Sequence, residues 1–166
     1  TMPKDLQEAS ILLHYALYCH QGPFVIRYPR GNTEILPEKS SKIPFGSWEI
    51  ILPLREVNVI TYGPAVNDFR YFINELGKEI GLINARYIKP LDLKTLKDLS
   101  GSKVIIYEEV IKHGSLGMMI LAASREEDIP LEFDFYGIND IYVEHGETDK
   151  IKKDLGLDIK EILTKY

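Results

Sequence analysis

The sequence predicts an α/β fold: a mostly parallel five-stranded sheet with helices on both faces and right-handed crossovers. Three observations predict it. From residue 48 onward, short β-rich runs alternate with helical periods. One run, 104–107, is apolar and β-branched, the composition of a strand buried on both faces of a parallel sheet. Gly63-Pro64 turns another run directly into an amphipathic helix, so strands and helices follow one another as βαβαβ.

The elements come in order. A helix is predicted over 4–20, because Leu6, Ala9, Leu13, Ala16 and Leu17 recur at helical spacing and acids sit in its first turn; Gly22 and Pro23 end it. Residues 24–28 read as a short strand closed by Pro29, which lacks a backbone donor. From Gly31 to Gly46 the periodicity vanishes, and Pro37, Ser40, Ser41 and Pro44 punctuate an exposed connection. One helix and one strand cannot bury a core. Residues 1–35 are therefore expected to be the tail of a domain whose remainder lies upstream, 36–47 a linker, and 48–166 a second domain.

In that second domain, strands are predicted at 48–52 and 57–62. A helix follows in which Val66, Phe69, Ile73, Leu76 and Ile80 form the apolar stripe and Gly81 the stop. A strand at 82–88 leads to a short helix capped by Asp92 and ended by Gly101, then to the strand at 104–107. A helix over about 115–126 precedes Leu131, Phe133 and Phe135 alternating with Glu132 and Asp134, and a last short strand is expected at 141–143. Asp158 with Glu161 opens a final helix.

The composition narrows the function. A formal charge of −5 over 166 residues disfavours nucleic acid, whose binders cluster Lys and Arg against phosphates. The single cysteine, Cys19, rules out an intramolecular disulfide and fits a reducing compartment, so a cytoplasmic location is expected. No apolar run approaches the roughly 18 residues that span a bilayer, and no membrane partner is expected.

Arg27 and Arg30 flank a proline in GPFVIRYPRGN. A guanidinium held at a strand end by a rigid neighbour is suited to capturing a phosphate or carboxylate through paired N–H groups. Arg30 is the better candidate, because Arg27 lies within the extended run, where a structural ion pair suffices to explain it. Glu108 and Glu109 follow the buried strand, where ligands collect in open parallel sheets. Adjacent residues on an extended chain point apart, however, so capping or hydration is the favoured reading. HGSLGMM, from His113, has neither the lysine of a P-loop nor a full Gly-x-Gly-x-x-Gly, and reads as a turn into a helix. His113 and His145 each precede glycine after a strand, but neither has metal-ligand spacing; His14 and His20 fall on the opening helix, and Cys19 is expected to be packed there. No catalytic set closes.

In order along the chain, MPKDLQEASILLHYAL with GPFVIRYPRGN, ITYGPAVNDF through INARYIKPLD, VIIYEEVIKHGSLG, and IYVEHG with LGLDIKEIL resemble the carboxyl-terminal third of the 1-deoxy-D-xylulose-5-phosphate synthase family, thiamine diphosphate enzymes related to transketolase. RYPRG and RYIKPLD are the most specific pieces. HGSLG departs from the paired glycines more usual in relatives. The resemblance implies a transketolase C-terminal-domain-like fold preceded by the last helix and strand of the pyrimidine-binding domain. It also implies a homodimeric full-length enzyme that uses thiamine diphosphate and Mg2+ to condense pyruvate with glyceraldehyde 3-phosphate. In it the second arginine of RYPRG, Arg30, contacts the substrate phosphate. The residues that grip the cofactor and metal belong to other domains, so this fragment is expected to bind neither and to be inactive alone. Another thiamine diphosphate enzyme, such as transketolase or a 2-oxo acid dehydrogenase β subunit, and a non-catalytic binding or assembly module are the alternatives.

Overall fold

The computed structural model describes residues 1–29 and 42–166. After α1 (Leu6–Tyr18) come β1 (Glu49–Leu52), β2 (Val57–Thr61), α2 (Ala65–Glu75), β3 (Ile80–Asn84), α3 (Leu93–Asp98), β4 (Lys103–Ile111), α4 (Leu116–Glu126), β5 (Glu132–Ile138), α5 (Thr148–Asp154) and α6 (Ile159–Leu163). The strands form one sheet in the order β1-β3-β2-β4-β5. β1 joins β3 antiparallel, and every other pairing is parallel. From β2 the chain passes to β3 on one side, and from β4 to β5 on the other. The carboxyl ends of β2 and β4 therefore flank the point where the winding reverses, which is where open α/β sheets leave a crevice.

Alternation along each strand divides the core into two layers. Val59, Leu82 and Ile105 pack with Phe69 and Ile73 of α2 and with α6 on one face. Ile60, Ile83, Val104 and Ile106 pack with α3, α4 and Leu12 of α1 on the other. The predicted fold class is thus the observed one.

Several local expectations are corrected. α2 ends at Glu75, not at Gly81: Leu76 caps it, Gly77 takes φ +62°, and Lys78 N–H returns to the Ile73 carbonyl at 3.0 Å, a Schellman-type stop. Ile80 and Gly81 belong to β3 instead. Residues 24–28 are in no strand; among the described residues it is Thr1 that bonds to their backbone, at Val25 and Arg27. Residues 141–143 form no strand either, and Tyr142 is 90% exposed. The short helix α5 has no buried residue and so no apolar period by which a sequence could announce it. On α1 the stripe of Leu6, Leu13 and Leu17 is exposed, whereas Glu8 and Leu12 face the sheet. Cys19, expected to be packed, is exposed at the end of that helix.

Gly81 has a packing role. Fully buried Asn58 accepts Arg55 N–H at 2.9 Å and donates to the Arg55 carbonyl at 2.7 Å, bracing the turn before β2. A Cβ on Gly81 would strike the Asn58 amide and lie 2.9 Å from the Pro53 carbonyl and 3.1 Å from Leu54 Cα. Two of those neighbours are backbone and cannot swing away. Gly81→Ala is expected to cost about 2–3 kcal/mol of unfolding free energy by overpacking, read as a lower denaturation midpoint at unchanged slope; a midpoint equal to wild type would contradict this packing.

Candidate functional site

At the winding reversal lies a cavity of about 410 Å3 lined by residues that include Arg27, Tyr28, Tyr62, Asp68, Glu109 and Lys152. Each arrives for a local reason. Tyr62 and Glu109 stand at the carboxyl ends of β2 and β4, Asp68 lies on the first turns of α2, and Lys152 is on α5. Arg27 and Tyr28 come from the extended segment after α1.

Glu108 also borders that cavity but is only 2% exposed, and its carboxylate is turned toward α4. It accepts Tyr62 O–H at 2.8 Å, Leu116 N–H at 3.1 Å and Gly117 N–H at 2.6 Å. It therefore caps α4, satisfying two amides that have no partner within the helix and meeting the positive end of its dipole. Burial, then the charge and hydrogen bond of Glu108, hold the Tyr62 phenol far above its ordinary range. Glu109 points the other way, accepting Tyr107 O–H at 3.1 Å and pairing with Lys152 at 2.7 Å. Partial burial raises the Asp68 carboxyl, with Lys152 opposing the rise and Glu109 and Asp149 adding to it. The two glutamates thus have separate structural tasks, as their adjacency on a strand requires.

Arg27 lines the cavity and a neighbouring hollow that His113 also borders, and it makes no salt bridge among the described residues, so the ion pair considered for it is absent there. His145 is exposed in the loop after β5 and lines neither. Arg30 lies outside the described residues; Tyr28 and Pro29, just before it, line the cavity. Among the described residues no group of three or more His, Cys, Asp or Glu is placed to hold a metal ion, and no helix is long and apolar enough to cross a membrane.

A second polar assembly, between α1 and the sheet, is one that sequence reasoning misses. Asp5 caps α1 by accepting Glu8 N–H at 2.8 Å, and the Glu8 carboxylate accepts Lys4 N–H at 2.8 Å. The same carboxylate accepts the Asn84 amide at 3.0 Å and pairs with Arg86 Nη1 at 3.4 Å. Arg86 also donates Nε–H to the Ser47 carbonyl at 2.9 Å and Nη2–H to Ser47 Oγ at 3.0 Å. Lys4 reaches Glu49 at 2.8 Å. Burial opposes the charge on both, yet Lys4 is raised and Glu49 lowered because the pair and its charged neighbours outweigh it. Arg86 opens RYIKPLD, whose Tyr87 is buried among Phe24 and Phe45 and whose Asp92 caps α3 and accepts Trp48 N–H at 2.8 Å. Burial pushes the Tyr87 phenol up to about 12. The one legible signal is the Asp5-x-x-Glu8 spacing; its distant partners leave none.

Comparison with known proteins adds to this geometry. The family described as "Transketolase, C-terminal domain" matches residues 46–162. The chain is 35% identical to 1-deoxy-D-xylulose-5-phosphate synthase of Listeria innocua, over 99% of its own length and 27% of that protein. It is 34% identical to the enzyme of the same name from a strain of Thermus thermophilus, over 96% and 26%. The chain thus spans about a quarter of the length of these relatives. Its backbone is similar to that of a split-gene transketolase solved as an inactive β4 tetramer, with a TM-score of 0.83, 19% identity, and coverage of 98% of this chain and 55% of that one.

Proposed function

The chain belongs to the transketolase C-terminal domain family, and from that premise we propose that it is the carboxyl-terminal part of a thiamine diphosphate-dependent transferase condensing pyruvate with glyceraldehyde 3-phosphate to 1-deoxy-D-xylulose 5-phosphate and CO2. The observation that carries this reading is identity of 31–35% to synthases of that name over nearly the whole chain, on both sides of the linker. In this reading residues 1–35 close the pyrimidine-binding domain, 36–47 link, and 48–166 form the terminal domain. Arg30 contacts the substrate phosphate, and the complete enzyme is a cytoplasmic homodimer. The exposed Leu6, Leu13 and Leu17 on α1 support the first assignment, since an apolar stripe facing water suits a helix that ends a larger domain.

The described residues do not suit the cofactor. In the crevice Asp68 and Glu109 offset Arg27 and Lys152, Lys152 is already paired with Glu109 at 2.7 Å, and among the described residues no group of three or more His, Cys, Asp or Glu is placed to hold a metal ion, so no cluster of free cations or metal ligands faces a diphosphate. The reading therefore places thiamine diphosphate and Mg2+ on parts of the enzyme outside this chain. Calorimetric titration of the chain with thiamine diphosphate and magnesium is expected to give no binding heat, and turnover of the chain alone to be nil. The complete enzyme is expected to release CO2 from pyruvate and to form the deoxysugar phosphate only when the aldehyde is present. Tight cofactor binding by this chain, or a complete enzyme that uses a ketose phosphate donor and ignores pyruvate, would overturn the proposal.

A further inference from the structure

α5 buries no residue, so packing alone does not hold it on the fold. Its reach to the sheet is through Lys152, whose ammonium pairs with Glu109 on β4 at 2.7 Å, with the two side chains 25% and 42% exposed. Lys153 meets Glu161 at 3.5 Å, but both side chains are more than half exposed, where such pairs contribute little. The chain just beyond α5 is, by contrast, fixed. Leu157 is buried, and the Tyr107 hydroxyl lies 3.1 Å from both the Leu157 carbonyl and a Glu109 carboxylate oxygen. Between Leu157 and the end of α5 stands Gly156, at φ +70° and with open space where a side chain would be. Before α5, residues 144–147 are exposed and belong to no helix or strand. Lys152 and Asp68 line both the crevice of about 410 Å3 and a second hollow of about 510 Å3 bounded by Phe72, Asp149 and Leu157, so these two side chains are a wall that the hollows share.

We propose that α5 is a gate: it swings about Gly156, the Lys152–Glu109 pair latches it shut, and its opening joins the crevice to the neighbouring hollow. The latch is electrostatic. Asp68 feels the charges of Lys152, Glu109 and Asp149, so the ammonium stands among three carboxylates, one of them carried by α5 itself. While Lys152 is in place it offsets their mutual repulsion. Without it, Asp149 faces Asp68 and Glu109 uncompensated and α5 is pushed outward. An element with so little buried surface opens at a lower free energy than the strands beneath it, which stay closed as it moves. The gate is a property of this chain and stands apart from the identity of the reaction.

The test is amide hydrogen exchange of this chain, read by mass spectrometry on peptides from α5, β4 and α6. The amides of α5 are expected to exchange through a local opening, well before those of β4. Lys152→Gln is expected to speed exchange in α5 about fivefold, the scale of a partly exposed ion pair, and to leave β4 and α6 unchanged. Glu109→Gln, which removes the other half of the latch, is expected to do the same, and the double variant to do no more than either single change. Salt at about 1 M, where the screening length falls to ~3 Å, is expected to speed exchange of α5 in the wild type and not in Lys152→Gln. An α5 that exchanges only together with β4, an unaltered rate in Lys152→Gln, effects that multiply in the double variant, or equal acceleration in β4 and α6 would each overturn the gate.

Discussion

Arg30→Ala in the complete enzyme is expected to lower kcat/KM for glyceraldehyde 3-phosphate about a hundredfold, mainly through a higher KM. The size follows from the chemistry of the pair: loss of charged hydrogen bonds to a phosphate is worth on the order of 2–3 kcal/mol, and each 1.4 kcal/mol is a factor of ten. The direction follows from where the phosphate sits in the substrate. In the proposed reaction it is remote from the reacting aldehyde carbon, so the contact proposed for Arg30 would hold and orient the molecule while leaving bond making to the cofactor. Arg30→Lys is expected to recover only part of the loss, because an ammonium retains the charge but not the paired, planar donors. Steady-state kinetics for each substrate separately decide the matter: KM for pyruvate should stay close to wild type. Unchanged kinetics toward the aldehyde phosphate would end the assignment.

The largest stability effect is expected from Glu108→Ala. Three donors, the Tyr62 hydroxyl and the amides of Leu116 and Gly117, would be left in the interior without their shared acceptor. Hydrogen bonds to a charged group contribute about 1.5–3 kcal/mol each, and stranded buried donors retain their desolvation penalty. Partial relaxation and entry of water reduce the sum, leaving a loss of about 4 kcal/mol, or on the order of 10 °C in Tm for a chain of this size. Glu108→Gln keeps one acceptor oxygen and the shape of the side chain, and is expected to lose less than half as much. Thermal and denaturant unfolding of both variants provide the measure. An alanine variant within about 1 kcal/mol of wild type would show that the carboxylate does not hold α4 in place.

The parts of the fold that are legible in the sequence are those whose partners are local or periodic. Phe69 and Ile73 recur at helical spacing and the 104–107 run is uniformly apolar, so α2 and β4 can be read without their neighbours. The face of α1 cannot. Its leucine stripe at 6, 13 and 17 has the look of a buried side, yet the side that is buried carries Glu8, made tolerable by Arg86 seventy-eight residues away. Ile141 and Val143 have strand-forming side chains but no ladder to join, and propensity without a partner makes no strand. Gly81 resembles a helix stop because nothing nearby in the sequence announces the Asn58 brace it must clear. At the site, the opposed directions of Glu108 and Glu109 follow from strand geometry, whereas Lys152, which neutralises one of them, arrives on a helix with no apolar signal. Arg30 is singled out by its rigid proline neighbour and by RYPRG; the described residues bring only the segment before it to the crevice.

β1 closes one margin of the sheet by adding antiparallel to β3, and β5 forms the other. Along β5, Lys103 of the adjacent strand pairs with Glu132 at 2.8 Å and Asp134 at 3.0 Å, and Asp134 also accepts the Tyr166 hydroxyl. A foreign strand trying to zip onto that margin would have to strip water from both carboxylates and compete with the Lys103 ammonium that holds them and the Tyr166 hydroxyl on Asp134. Edge-to-edge growth into fibrils is therefore discouraged at its starting point.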